Sequence, residues 1–137
     1  MPTDPPHIAA ASADVAIAAS GALTTMRYTW SHPDDGAQDG LLVIGAHEEP
    51  GGLVAFWCDS WHQSPEPKVL VGRIDDGLLI MSYTYGGDWQ WQITVNVTNP
   101  DVLVLRMDNI VPESAAGPEI VAGAYPAMLS ELRRGCF

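Results

Sequence analysis

The stretch Asp88-Trp89-Gln90-Trp91-Gln92-Ile93-Thr94-Val95-Asn96-Val97 alternates apolar and polar residues without interruption. Side chains on a β-strand point to opposite faces in turn, so a period of two predicts a strand with one buried face. The residues on the predicted buried face are Trp89, Trp91, Ile93, Val95 and Val97. This stretch indicates the fold class, and the same period can be followed outward along the chain.

Alternation or short apolar runs recur on both sides of it. Residues 24–31 alternate, and apolar runs of strand length occupy residues 41–47, 53–61, 69–74, 78–85 and 102–110. Turn-forming sequences separate several of these runs, among them Asp75-Asp76-Gly77, Gly86-Gly87 and Asn99-Pro100-Asp101. Residues 14–19 fit either a strand or a short helix, and residues 127–134 favour a closing strand over a short helix.

About eight or nine short strands joined mostly by hairpin turns are typical of an antiparallel up-and-down sheet. Closure into a barrel removes unpaired edges, so we predict an all-β, antiparallel up-and-down β-barrel, with a sandwich as the main rival. A barrel of about eight strands holds either packed side chains or one small ligand. Inward aromatic residues favour a central cavity.

Composition limits the classes of partner. The chain has 137 residues, 47% of them hydrophobic, which predicts one globular domain over residues 13–137 after a flexible arm at residues 1–12. A formal net charge of -11 disfavours nucleic acid and anionic membrane surfaces, because both require a basic surface. The sequence shows no signal peptide and no apolar run of membrane-spanning length, so we expect a cytoplasmic protein.

A second informative stretch is Trp57-Cys58-Asp59-Ser60-Trp61-His62. On a regular strand, Trp57, Asp59 and Trp61 share the inner face, while the thiol, hydroxyl and imidazole between them lie on the other. A Ser–His–Asp relay is therefore excluded on geometry, because its members would point in opposite directions. What remains is an acid between two indole rings.

Asp59 is the strongest single candidate for a functional residue. Burial among indoles would raise the pKa of its carboxyl group unless hydrogen-bond donors, or a cation such as Arg73 or Arg106, compensate. Three interpretations follow: a structural acceptor, a ligand contact, or a proton-transfer residue. The structural role is favoured, because structural networks also shift pKa values.

Aromatic side chains are numerous enough to line a pocket, although a packed core is an equally good interpretation. At residues 106–109 we expect Met107 and Asn109 to face inward, and Arg106 and Asp108 to form an outer pair. The predicted ligand-binding residues are Tyr28, Trp30, Trp57, Asp59, Trp61, Tyr83, Tyr85, Trp89, Trp91, Met107 and Asn109. The Tyr83–Trp91 hairpin is expected to form the wall opposite Trp57, Asp59 and Trp61.

Short motifs resemble a bacterial lipocalin-like family, a calycin-superfamily domain of unknown function. They are Trp57-Cys58-Asp59-Ser60, Leu70-Val71-Gly72 and Gly87-Asp88-Trp89, and the resemblance covers residues 24–134. The resemblance implies a meandering barrel with a central cavity, and it implies no established reaction and no catalytic residues.

Calycin relatives include haem binders, which need an axial histidine. His47 and His62 could end adjacent strands, but neither lies in a motif that demands this role, and exposed histidines are the favoured interpretation. We predict no metal site and no cofactor. Cys58 and Cys136 could form one disulfide, although a strand residue and a chain terminus are a weak pair; Cys58 is expected to be a small packed residue.

The sequence thus predicts a β-barrel that binds a hydrophobic or aromatic small molecule. The alternative is a cofactor-independent isomerase or cyclase acting on a hydrophobic, polyketide-like substrate of secondary metabolism, with Asp59 and Tyr83 as acid and base. A third interpretation is a structural domain that forms a homodimer through an open sheet face. Whether the protein is an enzyme stays open at this stage.

Overall fold

A computed structural model of the chain describes residues 8–61 and 66–134. Within them, nine antiparallel strands follow one another in chain order in a single meandering sheet. The strands are β1 Ser12–Ala18, β2 Leu23–His32, β3 Gly36–Ala46, β4 Gly52–Asp59, β5 Lys68–Asp75, β6 Leu78–Tyr85, β7 Trp89–Asn99, β8 Val102–Val111 and β9 Gly123–Arg133, with short 3-10 turns at Ala19–Gly21 and Glu113–Ala115. The predicted fold class, an all-β antiparallel protein of the up-and-down barrel type, is confirmed.

Both ambiguous segments are strands. Residues 14–19 belong to β1 and the 3-10 turn that follows it, and the closing strand β9 begins at Gly123, earlier than the sequence indicated. The Gly86-Gly87 turn is also confirmed, because both residues adopt positive φ angles, of 53° and 88°, that glycine tolerates without strain.

The chain divides into two compact units, which we call the N-terminal unit (residues 8–73) and the C-terminal unit (residues 74–134). The prediction of one domain from residue 13 onward stays a prediction. In the N-terminal unit the buried face of β2, β3 and β4 carries a row of directly opposed residues, Met26, Leu42 and Trp57. All three are buried, and Leu70 of β5 adds to the same core.

The C-terminal unit has a comparable row. Met81, Ile93, Met107 and Met128 lie directly opposite one another on β6, β7, β8 and β9, and all four are buried. Burying each such side chain contributes about 1.5–3 kcal/mol relative to leaving it in water. The alternation of β7 therefore positions the core of this unit as the sequence predicted.

One residue of that alternation departs from the prediction. Val97 was expected to face the core, but 44% of it is exposed. The pairing of β7 with β8 shifts register between Asn96 and Asn99, and a bulge of this kind ends the regular alternation of side chains. The buried row consequently ends at Val95.

The expected pair of Arg106 and Asp108 forms, but it is not an outer pair. Arg106 Nε donates to both carboxylate oxygens of Asp108, at 3.0 and 2.8 Å, and Nη2 donates to Oδ1 at 2.8 Å. Asp108 is only 2% exposed, and the β8–β9 register shifts directly before it. Hydrogen bonding to this carboxylate raises the pKa of Arg106, so the guanidinium stays charged and compensates the buried acid.

Candidate functional site

Asp59 lies at the end of β4, on the buried face of the strand. Leu53, Ala55, Trp57 and Asp59 are buried in alternation, and the residues between them are more exposed. Only 1% of Asp59 is exposed. The predicted inner face of Trp57 and Asp59 is confirmed, and a carboxylate this deeply buried requires hydrogen-bond donors.

Donors from neighbouring residues reach both oxygens of this carboxylate. The Tyr28 hydroxyl donates to Oδ2 at 2.6 Å, the Trp30 indole Nε1 donates to Oδ2 at 3.1 Å, and the backbone N–H of Trp61 donates to Oδ1 at 2.8 Å. An ionised carboxylate only accepts hydrogen bonds, so this set of donors matches the charged form of Asp59. Arg106, one of the two arginines suggested as its partner, is paired with Asp108 instead.

Tyr28 connects this carboxylate to the core. The Trp57 indole Nε1 donates to the Tyr28 hydroxyl oxygen at 2.8 Å, so the hydroxyl accepts one hydrogen bond while it donates the other. Tyr28, Gly40 and Asp59 lie directly opposite one another on β2, β3 and β4. A methyl group at position 40 would overlap the Tyr28 ring and hydroxyl. The ring can therefore cross β3 only because residue 40 has no side chain.

Burial, followed by the charge of Asp59 and the hydrogen bond to it, raises the pKa of the Tyr28 hydroxyl far above its ordinary value of 10.0. The neutral hydroxyl donates to the carboxylate, whereas a phenolate would place a second negative charge beside it. The folded protein thus holds this proton more tightly than the unfolded chain does. The hydroxyl is a positioning group for Asp59 and stays protonated over the physiological pH range.

Stability should therefore fall in alkaline solution. Because the pKa of Tyr28 is higher in the folded than in the unfolded chain, its contribution to the free energy of unfolding is complete below about pH 10. Above that pH the contribution is lost by about 1.4 kcal/mol per pH unit for one group. Tyr28→Phe should cost about 1.5–3 kcal/mol at about pH 8 through the lost hydrogen bond to a charged group. The difference in free energy of unfolding between wild type and Tyr28→Phe should shrink by about 1 kcal/mol by about pH 11.

Urea unfolding of both proteins across this pH range measures the difference. Tyr83→Phe is the matched comparison, because burial, followed by the neighbouring Tyr85, raises the pKa of the half-buried Tyr83 hydroxyl. Its deficit should change less with pH. If the free energies of unfolding of wild type and Tyr28→Phe changed with pH in parallel, the raised pKa of the Tyr28 hydroxyl would be contradicted.

Next to Asp59, the ends of β2 and β4 carry a group of rings that we call the aromatic end cluster, namely Trp30, His32 and Trp61 with the Asp35 carboxylate. The Trp30 and Trp61 rings meet edge to face, with centroids 5.8 Å apart and planes at 86°. His32 stacks on Trp61 at 4.6 Å with planes at 22°. The Trp61 indole Nε1 donates to Asp35 Oδ2 at 2.7 Å.

The β2–β3 turn fixes the imidazole of this cluster. The backbone N–H groups of Asp34 and Asp35 both donate to His32 Nδ1, at 3.1 Å each, and Asp35 Oδ2 lies 3.4 Å from the same nitrogen. Trp61 differs from the prediction. It follows the last residue of β4, where the regular alternation ends, and 42% of it is exposed while Trp57 is fully buried.

A second group, which we call the tyrosine cluster, lies in the C-terminal unit. The Tyr83 and Tyr85 rings are 5.9 Å apart, and the Tyr85 hydroxyl donates to Asn109 Oδ1. Tyr83 lies opposite the buried Trp91, which in turn lies opposite Asn109. Burial is the main cause that raises the pKa values of both tyrosines, so both hydroxyls stay protonated at neutral pH. This group therefore presents neutral donors and rings at a half-buried edge.

The remaining predicted ligand-binding residues differ in how deeply they are buried. Met107 is fully buried in the core row, whereas Asn109 is half-buried, and Trp89 is half-buried opposite Tyr85. The prediction that these residues and the Asp59 group form opposing walls of one cavity stays a prediction. What the structure does show is that each unit carries its own cluster of partly exposed rings.

Sequence reasoning missed His32, Asp35 and Gly40. His32 follows Tyr28 and Trp30 at a spacing of two on β2, and that spacing could have identified it. Nothing in the sequence indicates the contact between Asp35 and Trp61, which are 26 residues apart. Gly40 resembles an ordinary turn glycine until the opposite Tyr28 ring is located.

An open depression of about 390 Å³ adjoins the same strands. Its lining includes Arg27, Leu41 and Cys58, which lie opposite one another on β2, β3 and β4 and alternate with the buried row. Its lining also includes Gly40 and Asp59 of the buried row, and it includes none of the rings of the aromatic end cluster.

The remaining candidates from the sequence are the histidines and cysteines that could bind a metal or form a disulfide. Among residues 8–61 and 66–134, no three histidine, cysteine, aspartate or glutamate side chains are grouped so that they could hold a metal ion. His47 is exposed and Cys58 is a half-buried free thiol, whereas His62 and Cys136 lie outside the described residues. In the same part of the chain, no helix has the length and apolar character needed to cross a membrane.

Comparison with known proteins gives no relative from which a role could be transferred. No family model, no curated protein and no solved structure matches this chain.

Proposed function

We propose that this protein is a small-molecule-binding β-barrel of the lipocalin-like kind, and that an apolar or aromatic ligand rests on the aromatic end cluster. The observation that carries the proposal is the buried Asp59 carboxylate, which accepts hydrogen bonds from the Trp30 indole and the Trp61 backbone. The first bond holds the Trp30 ring directly, and the second holds the Trp61 backbone, while the Trp61 ring is held by its Nε1 hydrogen bond to Asp35. A rigid aromatic surface is typical of ligand sites, because little side-chain entropy is lost when the ligand binds.

Exposure distinguishes this cluster from ordinary core packing. Trp57 is completely buried, as a tryptophan in a core is expected to be, but Trp61 leaves 42% of its surface in contact with solvent. Exposed apolar rings that are held in place by hydrogen bonds at their polar atoms are what a flat ligand can cover. Tyr83, Tyr85 and Trp89 of the C-terminal unit, all partly exposed, form a separate candidate surface.

Binding ranks ahead of the isomerase or cyclase alternative. That alternative requires the Asp59 carboxylate to exchange a proton with a substrate, yet the carboxylate is 1% exposed and its oxygens accept hydrogen bonds from the protein. A positioning role for Asp59 accounts for the same contacts without any reaction.

Native mass spectrometry of the purified protein, followed by titration with the neutral apolar dye Nile red, tests the proposal. We expect either a co-purified small molecule or saturable dye binding, and we expect Trp61→Leu to weaken binding about tenfold, since a well-packed aromatic contact contributes about 1–2 kcal/mol.

Tyr83→Leu is the matched variant in the tyrosine cluster and reports whether a ligand binds at that separate surface. Phe56→Leu is the control, because Phe56 is an exposed aromatic residue on the other face of β4 and its replacement should leave binding unchanged. If the purified protein carried no ligand and showed no saturable dye binding, the proposal would be contradicted. Equal loss in Phe56→Leu and Trp61→Leu would do the same.

A further inference from the structure

We infer that the ligand of the aromatic end cluster is cationic, a small quaternary ammonium compound or methylated amine. This inference rests on the proposed function for its site, and it narrows the apolar ligand to one whose apolar methyl groups surround a positive charge. Three observations carry it: the arrangement of the rings, the carboxylates bonded to their N–H groups, and the charge of the surrounding segment.

The rings are arranged as such a cation requires. Trp30 and Trp61 have planes at 86°, and His32 meets Trp30 at 78°, so the cluster presents aromatic surfaces in two nearly perpendicular directions. A cation is attracted to the negative face of an aromatic ring, and indole gives the strongest attraction among the natural side chains. His32 covers one face of Trp61, so the corner between Trp30 and the other, partly exposed face of Trp61 is where a roughly spherical methylated ammonium group can contact two rings.

Carboxylates that accept hydrogen bonds from the indole N–H groups strengthen the attraction between a cation and the ring faces. The Trp30 indole N–H donates to Asp59, and the Trp61 indole N–H donates to Asp35 at 2.7 Å. A hydrogen bond to an anion polarises its donor, so each indole becomes richer in electrons and its face more negative. Both tryptophans of the cluster are bonded in this way, while the buried Trp57 donates to a neutral hydroxyl.

The charge of the surrounding segment has the same sign throughout. Residues 28–67 contain no lysine and no arginine. Four acids, Asp34, Asp35, Asp39 and Asp59, lie on the β2–β3 turn, the start of β3 and the end of β4, close to the cluster, whereas Glu48 and Glu49 lie in the β3–β4 turn at the other end of these strands. Arg27 and Lys68 border the segment, and Lys68 is paired with Glu66. A segment of one sign raises the local concentration of the opposite ion, so a cation is favoured over a neutral or anionic ligand.

A hard metal ion fits this cluster less well than an organic cation. Metal ions such as Ca²⁺ need several converging oxygen ligands, but the cluster offers ring surface, with one carboxylate buried and already bonded and the other, Asp35, bonded to Trp61. A methylated ammonium group needs no direct oxygen ligand, because its charge is spread over its methyl groups and contacts ring faces.

Choline and its neutral carbon analogue, dimethylbutanol, separate charge from shape, because a tert-butyl group replaces the trimethylammonium group. Binding is followed by two-dimensional NMR of the tryptophan indole N–H signals at low salt. We expect choline to shift the Trp30 and Trp61 signals and to bind about fivefold more tightly than the analogue. The Trp57 signal is the internal control.

Asp35→Asn tests the contribution of charge at constant shape, since the amide oxygen still accepts the hydrogen bond from Trp61. The preference for choline should fall about twofold or more while the affinity for dimethylbutanol stays the same. Asp101→Asn is the matched control, because it removes the same charge from an exposed turn of the C-terminal unit. Trp61→Leu should abolish the choline shift of Trp30.

Equal affinity for choline and its analogue would overturn the inference of a cation and leave the proposed function standing. Absence of binding by either probe, or choline shifts confined to Trp89 and Trp91, would overturn the inference as well. Failure of the proposed function is recognised separately, by the absence of both a co-purified ligand and saturable Nile red binding.

Discussion

Replacing Asp59 with alanine is expected to lower the free energy of unfolding by about 3–5 kcal/mol. The change removes the acceptor for the Tyr28 hydroxyl, the Trp30 indole and the Trp61 backbone N–H together, and it leaves a cavity at a position that is only 1% exposed. A buried donor without an acceptor costs about 1–3 kcal/mol. Equilibrium unfolding in urea measures the loss.

Asp59→Asn should cost about half as much, because the amide oxygen keeps one acceptor while its NH₂ group faces a donor. A double-mutant cycle with Tyr28→Phe should give an interaction energy of about 1–3 kcal/mol, as expected for groups joined by a short hydrogen bond. Asp88→Ala, at an exposed turn, is the control of equal charge and should be nearly neutral. A loss below about 1 kcal/mol in Asp59→Ala would show that the network does not hold the fold.

Gly40→Ala is expected to destabilise the protein by about 2–4 kcal/mol, an unusual cost for the addition of one methyl group. The new methyl carbon would occupy the space of the Tyr28 ring and hydroxyl. The ring must then move, and both of its hydrogen bonds, to Asp59 and from Trp57, are weakened or lost. Urea unfolding should reveal the loss, and tryptophan emission should shift to the red as Trp57 becomes hydrated.

Gly117→Ala is the matched control, since a methyl group there meets no other atom within 4 Å and the residue has no positive φ angle. It should change stability by less than about 0.5 kcal/mol. In a Tyr28→Ala background, Gly40→Ala should cost little, because the ring with which it collides is gone. An unchanged cost in that background would mean that the glycine is required for a reason other than the Tyr28 ring.

These two variants also connect stability with binding. Asp59 accepts hydrogen bonds from the Trp30 indole and the Trp61 backbone of the aromatic end cluster, and Gly40 acts on the cluster only through Tyr28 and Asp59. If the cluster binds the ligand, Asp59→Asn should weaken ligand binding more than Gly40→Ala does at equal loss of stability.

Much of the fold could be predicted from local pattern. The alternation in residues 88–97 predicted β7 and its buried face down to Val95, because a period of two is a property of any extended chain. The same argument predicted that Trp57 and Asp59 share the buried face of β4. It failed at Val97 and Trp61, where a register shift and the end of a strand interrupt the period.

The sequence by itself determined the all-β class, most strand positions, the acidic character of the chain and the inward direction of Asp59, because each of these depends on neighbouring residues or on composition. Only the tertiary structure decided what compensates Asp59 and which aromatic residues stay exposed. Those outcomes depend on cross-strand register, which brings Tyr28, Gly40 and Asp59 into one row and joins Asp35 to Trp61 across 26 residues. Register is set by pairing between strands that are distant along the chain, and local alternation carries no information about which residue will lie opposite which.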